Sequence, residues 1–494
     1  MQPGRDRQLV TAAILLGMFL AALEATAVAA AVPTAVGEMG GVARYSWVFS
    51  AYLLASTTTV PLYGKLADLY GRRRIYHVAV AIFLVGSALS GVSQSLEQLI
   101  LFRFIQGIGA GGVTPVAITV SGDIYTLEER AKMQGLFSAV WAIASLVGPL
   151  LGGWITDAFS WRWIFYINIP FGIASSLMVQ RYLKEEPQRS EHRLDILGTV
   201  SLTAGVTLLL LGLIEGPSVW GWSDPRTLAV FAGSIVSIAI FFWQEMRAPE
   251  PMLPLSLFRD RLIAVSSVGN VILGALLFSI TAYVPVFMQG VLGGSAMDAG
   301  TVLTPILIGW PIASTVVGKF MMRFGYRTFA IAGSLMLLVG GLMLAFVDAD
   351  TSRLQIMASM LIIGFGLGFN SMPYLLAVQN AVPWNLRGVA TSSVQFFRSI
   401  GGAIVVAALG ALFGVRLAQE AAGIDPNTAL DPALRASATP ETLATLSSAL
   451  LHGLQSVYVV LAVICAVSIA VALLFPRGSA ASFTHAERDN GGLH

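Results

Sequence analysis

The sequence predicts an all-α, multi-pass membrane protein of fourteen transmembrane helices, arranged as two six-helix halves with an inserted pair between them. Three observations predict it: a composition too apolar for a soluble domain, fourteen charge-bounded apolar runs of spanning length, and basic residues that alternate between successive loops. Of 494 residues, 56% are hydrophobic and 11% charged, and the mean hydropathy is +0.76. Soluble domains carry roughly 25% charged residues. So little polar surface on so long a chain excludes a soluble enzyme, a nucleic-acid binder and a disordered protein. The net charge of +2 carries no partner signal as a total. The lone cysteine, Cys465, rules out an intramolecular disulfide and a cysteine-based metal site.

A hydrocarbon core of roughly 30 Å takes about 20 apolar residues. Runs of that kind fall at 9–32, 46–64, 75–93, 98–120, 134–156, 163–181 and 196–214. They continue at 227–243, 262–286, 297–318, 328–347, 354–376, 388–413 and 454–475. Arg5 and Arg7 before the first run resemble the start of a signal peptide, but Glu24 interrupts the run and a second span follows at once. The charge-free stretch Leu262–Met297 reads as one helix and an uncharged loop, because Gly290, Gly293, Gly294 and Ser295 break it. An even count puts both termini on one side. Of the 29 lysines and arginines, 21 then fall on the side of the termini, six on the other, and two, Arg103 and Arg398, within spans. Such a bias marks the cytoplasmic side, so both termini are expected in the cytoplasm of a cell-membrane protein.

Two motifs repeat. Gly64-Lys65-Leu66-Ala67-Asp68-Leu69-Tyr70-Gly71-Arg72-Arg73 is echoed by Gly318-Lys319-Phe320-Met321-Met322-Arg323-Phe324-Gly325-Tyr326-Arg327. Gly107-Ile108-Gly109-Ala110-Gly111 with Pro115 is echoed by Gly364-Phe365-Gly366-Leu367-Gly368 with Pro373. The offsets are 254 and 257, which predicts two homologous halves, 1–183 and 262–494, with a linker at 184–261 holding two extra spans. Transporter folds commonly use such repeats, with the substrate site between them. A long outer loop is expected at 414–453, with a short surface helix near 439–451.

These residues resemble the major facilitator superfamily, and within it the fourteen-helix drug:proton antiporter branch. Gly64 to Arg74 is similar to the family's loop signature between helices two and three. Arg103, Gln106, Gly107 and Gly109 resemble its fourth-helix motif. Gly148-Pro149-Leu150-Leu151-Gly152-Gly153 resembles the fifth-helix motif associated with antiporters. Trp161 to Pro170 and Trp47 to Tyr52 resemble runs typical of the branch. The resemblance implies the major facilitator fold. One departure is that Glu24 stands where the branch usually has aspartate, so the carboxylate reaches further by a methylene.

Glu24 is the one acid deep within a span. An ionisable group there is costly and is a functional-site hypothesis by default. A carboxylate in hydrocarbon holds either a proton or a cation, so competition for it couples proton entry to drug exit. The alternative is a structural acid that only pairs with a neighbour. The resemblance implies that Arg103 faces the cavity and assists proton transfer; a snorkelling arginine is the alternative. It also implies that Gly64, Asp68, Gly71, Arg72 and Arg73 form a cytoplasmic gate, with Asp123 as a helix-end charge in the same network and the glycines allowing close approach. Gly148, Pro149, Gly152 and Gly153 give helix five a kink and a small face, which packs closely and, on the functional reading, seals against leak. Candidate cavity residues are Tyr52, Trp141, Asn270, Asn370, Gln395 and Arg398.

No Gly-Lys-Ser/Thr phosphate loop occurs, so ATP hydrolysis is not the expected energy source; the resemblance implies a proton gradient instead, with no cofactor. The five histidines show no metal-ligand spacing and no nucleophile triad is suggested, so neither a metal nor an enzyme activity is expected. The expected protein is a monomeric exporter of lipophilic, cationic drugs in exchange for protons, embedded in the bilayer and without nucleic-acid partners. An exporter of an endogenous metabolite or lipid, and a non-transporting receptor or scaffold, remain the alternatives.

Overall fold

A computed structural model describes residues 4–125, 127–185, 195–249, 251–253, 255–382, 387–421 and 423–476. Arg189, Arg193, Arg477 and Arg488 of the charge count lie outside these. So does the side chain of Asp68, whose backbone is helical. The described residues are predominantly helical, with no strand among them.

The spanning helices are α1 (Gly4–Met39), α2 (Tyr45–Tyr70), α3 (Arg72–Val92), α4 (Leu96–Ile124), α5 (Leu127–Ala158) and α6 (Trp163–Tyr182). The inserted pair is α7 (Ile196–Glu215) and α8 (Pro225–Glu245). The second half holds α9 (Arg261–Val286, prolonged by a π-turn at Phe287–Val291), α10 (Ala296–Met321), α11 (Arg323–Ala345), α12 (Arg353–Ala381), α13 (Arg387–Glu420) and α14 (Pro440–Leu473). Thirteen of these are long and apolar enough to cross a membrane. The remaining one, α2, is 26 residues long, but its Ser56-Thr57-Thr58-Thr59 run dilutes its apolar character. Three of those hydroxyls bond back to their own helix, Ser56, Thr58 and Thr59 donating to the Leu53, Leu54 and Ala55 carbonyls at 3.1, 2.9 and 2.7 Å, while the buried Thr57 hydroxyl has no partner among the described residues. Those three side chains are thereby satisfied without water.

Side-chain caps start many of the helices. Ser95, Asp195, Asp224, Asp260, Ser352 and Thr439 each accept a first-turn backbone N–H, and Ser295 with Asp298 forms a full capping box. Such caps satisfy donors that the helix itself cannot. The repeat is visible in the backbone. Gly71 (φ 92°) turns α2 into α3, and Gly325 (φ 79°), its counterpart, kinks the chain within the first turn of α11. Only glycine adopts these angles without strain.

The expected long loop at 414–453 is largely helical instead. α13 runs to Glu420 and α14 begins at Pro440, leaving a short connection with a helix at Pro432–Ser437. Alanine is the strongest helix former, so the polar, alanine-rich flanks extend the spans beyond the bilayer rather than unwinding. The charge-free stretch Leu262–Met297 behaves as the sequence predicts, with helix ending at Val291 and Gly293 in the left-handed region.

The face carrying Gly4 is termed the basic face. The halves meet toward the opposite face. Tyr45 donates to the Ala282 carbonyl at 2.7 Å, Thr34 to Gln289 at 2.8 Å, and Gln289 to the Ala30 carbonyl at 2.9 Å. Toward the basic face, the first half packs into an apolar core of its own, built from α1 to α6 around Val10, Tyr76, Val116 and Phe137. Of the inserted pair, α7 seats on α2 and α13, where Trp47, Leu54, Leu210 and Ile400 share one cluster, and α8 packs against α7.

Candidate functional site

Glu24 lies mid-way along α1 and points into the first half, not into lipid; its side chain is fully buried. Arg103 of α4 donates Nη1 to its Oε1, and Asn168 of α6 donates Nδ2 to its Oε2 at 2.5 Å. Arg103 Nη1 also reaches Gln106 Oε1 at 2.7 Å, and the guanidinium lies 4.2 Å from the centre of the Tyr52 ring. Ser87 joins the two arms: it accepts from Gln106 at 3.1 Å and from Asn168 at 2.9 Å, and donates to the Phe165 carbonyl at 2.8 Å. Asn168 Oδ1 is buried and finds no partner among the described residues. Apolar Leu23, Ala27, Leu151, Ile155 and Ile164 enclose the acid, with no room left for a water molecule. A buried ion pair holds together only when its remaining polar atoms are bonded, and Gln106, Asn168 and Ser87 perform that task. In this arrangement the carboxylate is sealed from solvent.

Small residues allow α1 to sit this close. A Cβ on Gly148 would lie 1.9 Å from Thr26 Oγ1, and one on Gly152 2.2 Å from the Ala27 carbonyl oxygen. The fifth-helix motif therefore presses α5 onto the turn of α1 that follows Glu24. Its far end serves the other half. A Cβ on Gly153 would meet the Ala296 oxygen at 2.5 Å, and one on Gly300 would meet the Pro149 oxygen at 2.0 Å. Asp157 accepts the Ala296 and Met297 N–H groups at 3.0 and 2.8 Å, so a carboxylate of α5 caps the start of α10 across the seam. Carboxylates at helix N-termini are favoured by the helix dipole.

At the basic face, Arg72 Nε lies 2.8 Å from Asp123 Oδ2. Glu185, after α6, accepts the Arg72 and Arg73 N–H groups at 2.6 and 3.0 Å and so caps α3; Arg73 Nε donates to Gln180 at 3.2 Å. Gly71 is closely approached, since a Cβ there would meet Glu185 at 3.0 Å. Gly64 is not: its Cβ position faces open space. The expectation of close approach thus fails at Gly64, because α2 packs on its neighbours through Tyr63 and Ala67 while the Gly64 side of the same turn faces open space.

The six candidate cavity residues do not form one cluster. Tyr52 belongs to the Arg103 network. Trp141 is exposed on α5. Asn270 and Asn370 are buried and donate to carbonyls of their own helices, Ser266 and Gly366, at 2.8 and 3.0 Å. Arg398 and Gln395 bond one another on α13, and the Arg398 guanidinium lies 5.7 Å from the Trp310 ring centre.

The Major Facilitator Superfamily model matches residues 14–406. The chain belongs to that superfamily. It is a multi-pass membrane transporter. Its relatives include the multidrug transporter protein MdtP of Bacillus subtilis, 41% identical over 411 residues, covering 83% of this chain and 76% of that protein. Multidrug resistance protein 3 of the same organism is 36% identical over 401 residues, covering 81% of this chain and 78% of that protein. Among solved structures, a bacterial homologue of the human lysosomal transporter Spinster, inward-facing and unoccupied, superposes with a TM-score of 0.66 at 17% identity. It covers 97% of this chain and 98% of that one. That likeness supports the fold.

Within this superfamily member, sequence reasoning singled out Glu24 and Arg103 but not the groups that hold them. Asn168 and Ser87 carried no signal of their own. Asn168 sits inside the Trp161–Pro170 run, and Gln106 inside the fourth-helix motif, where each counted toward the resemblance rather than toward a site. Asp157, Glu185 and Gln289 sit at or near helix ends, where polar residues are ordinary.

Proposed function

We propose that this transporter exports lipophilic, cationic drugs in exchange for protons by alternating access, with the basic face toward the cytoplasm of the cell membrane. The observation that carries the reading is the buried Glu24–Arg103 pair with its polar shell. That shell suits both protonation states. Ionised, the carboxylate accepts from Arg103 and Asn168. Protonated, it needs an acceptor, and Asn168 Oδ1 is an unused one that an amide flip presents. Protonation then frees Arg103 from its counter-charge and loosens the tie between α1, α4 and α6. Seals on the opposite face and a separate core at the basic end of the first half fit one end-state of a rocking cycle. The names of the two Bacillus relatives favour drugs as the cargo.

Inverted membrane vesicles test this. Ethidium added to energised vesicles is expected to be taken up with release of luminal protons, and Glu24→Gln to abolish that release while the protein remains in the membrane. Wild-type exchange by Glu24→Gln overturns the assignment of coupling to Glu24; an absence of drug movement overturns the cargo.

A further inference from the structure

We infer that the groove between α10 and α11 at the basic face binds an anionic phospholipid, its phosphate on Lys319, Arg323 and Arg327 and an acyl chain along the phenylalanines beneath. The two copies of the repeated loop motif differ in their charge balance. In the first, Arg72 has Asp123, and Glu185 caps the turn. In the second, Met322 stands where Asp68 aligns, and the sequence has no acidic residue between Asp298 and Asp348. Lys319 and Arg323 are exposed and Arg327 half-buried, and among the described residues none of the three has an acidic partner. Arg323 lies 5.3 Å from the centre of the ring of Phe324, a residue that lines the groove.

The groove beneath is wholly apolar. Phe320, Phe324, Thr328, Phe329 and Ala332, with Phe369 of α12 at the back, border about 390 Å³ of space open to the side, enough for part of an acyl chain. Phe320 and Phe324 are 47% and 50% exposed. The cations mark the helix ends, at headgroup level, while Thr328 and Ala332 lie further along α11 toward the bilayer interior. Cationic groups above an apolar slot match an amphiphile with an anionic head and a hydrocarbon tail. A soluble anion uses only the upper part. Within lipid, van der Waals packing in the slot holds an acyl chain in place, and selection among headgroups rests on the charges, as at other basic pockets between membrane helices.

Native mass spectrometry of the delipidated full-length protein, titrated with an equimolar mixture of phosphatidylglycerol and phosphatidylcholine, tests the inference. The wild type is expected to retain phosphatidylglycerol preferentially. The K319Q/R323Q/R327Q variant is expected to lose at least roughly tenfold of that preference. A332F, which fills the slot and keeps the charges, is expected to lose retention as well. R5Q/R74Q/R247Q, with equal charge removed elsewhere, is expected to match the wild type. Should the triple glutamine variant fail to elute as a folded monomer, A332F and K319Q alone carry the test. Equal uptake of the two lipids by the wild type, unchanged retention by the groove variants, or displacement of phosphatidylglycerol by ethidium or by inorganic phosphate would overturn it.

Discussion

Arg103 donates to Glu24 across the interior of the first half, between side chains 3% and 0% exposed. Truncating one member strands the other as a buried charge. Arg103→Ala is expected to lower unfolding stability by about 3–5 kcal/mol, read as a drop in melting temperature in detergent. The double variant Glu24→Gln/Arg103→Met is expected to recover most of that loss. Additive losses from the two sites would show that the residues are not coupled.

Gly300 and Pro149 face each other across the seam with no space for a methyl group. Gly300→Val is expected to disfavour the arrangement sealed on the opposite face by about 1–3 kcal/mol. Spin labels at Phe159 and Asp350 report it: the distance distribution between them is expected to gain a longer component. An unchanged distribution would show that the glycine is not part of the seal.

Glu185 holds the first turn of α3 through two backbone N–H groups. Glu185→Ala is expected to cost about 1 kcal/mol, as loss of a helix cap does, and Glu185→Gln less. Amide exchange at Arg72 and Arg73 is the direct readout, rising several-fold in the alanine variant. No change in protection would place the cap elsewhere.

The Arg72–Asp123 pair separates gating from stability. The two side chains are 18% and 49% exposed, and solvent-screened pairs contribute under about 1 kcal/mol. Asp123→Asn is therefore expected to leave the melting temperature nearly unchanged while altering the transport rate. A large loss of stability with normal transport would contradict a gating role.

Much of the fold was legible in the sequence because spans and their flanking charges are local signals. Gly71 and Gly325 were legible as a repeat for the same reason, each being fixed by the turn it makes. The flank at 414–420 was misjudged, since polar composition suggests a loop whereas alanine content and an adjoining span sustain a helix; the helix expected near 439–451 is present, as the first turns of α14 rather than as a separate surface helix. At the site, an acid alone in a span was conspicuous. Its partners were not: Asn168 is 144 residues away in sequence and Arg103 79, and only the packing of α1, α4 and α6 brings them together. The tight meeting of Gly148 and Gly152 with α1 was likewise invisible, because a small-residue face does not say which helix it meets.

The exchange proposed here has Glu24 give up its proton as the transporter binds drug. It is tested most directly by proton release on drug binding to the purified protein in weakly buffered detergent solution, followed with a pH dye. Wild-type protein is expected to release protons as ethidium or a similar lipophilic cation binds, and Glu24→Gln to bind the same compound without release. Equal release from both proteins would contradict the account.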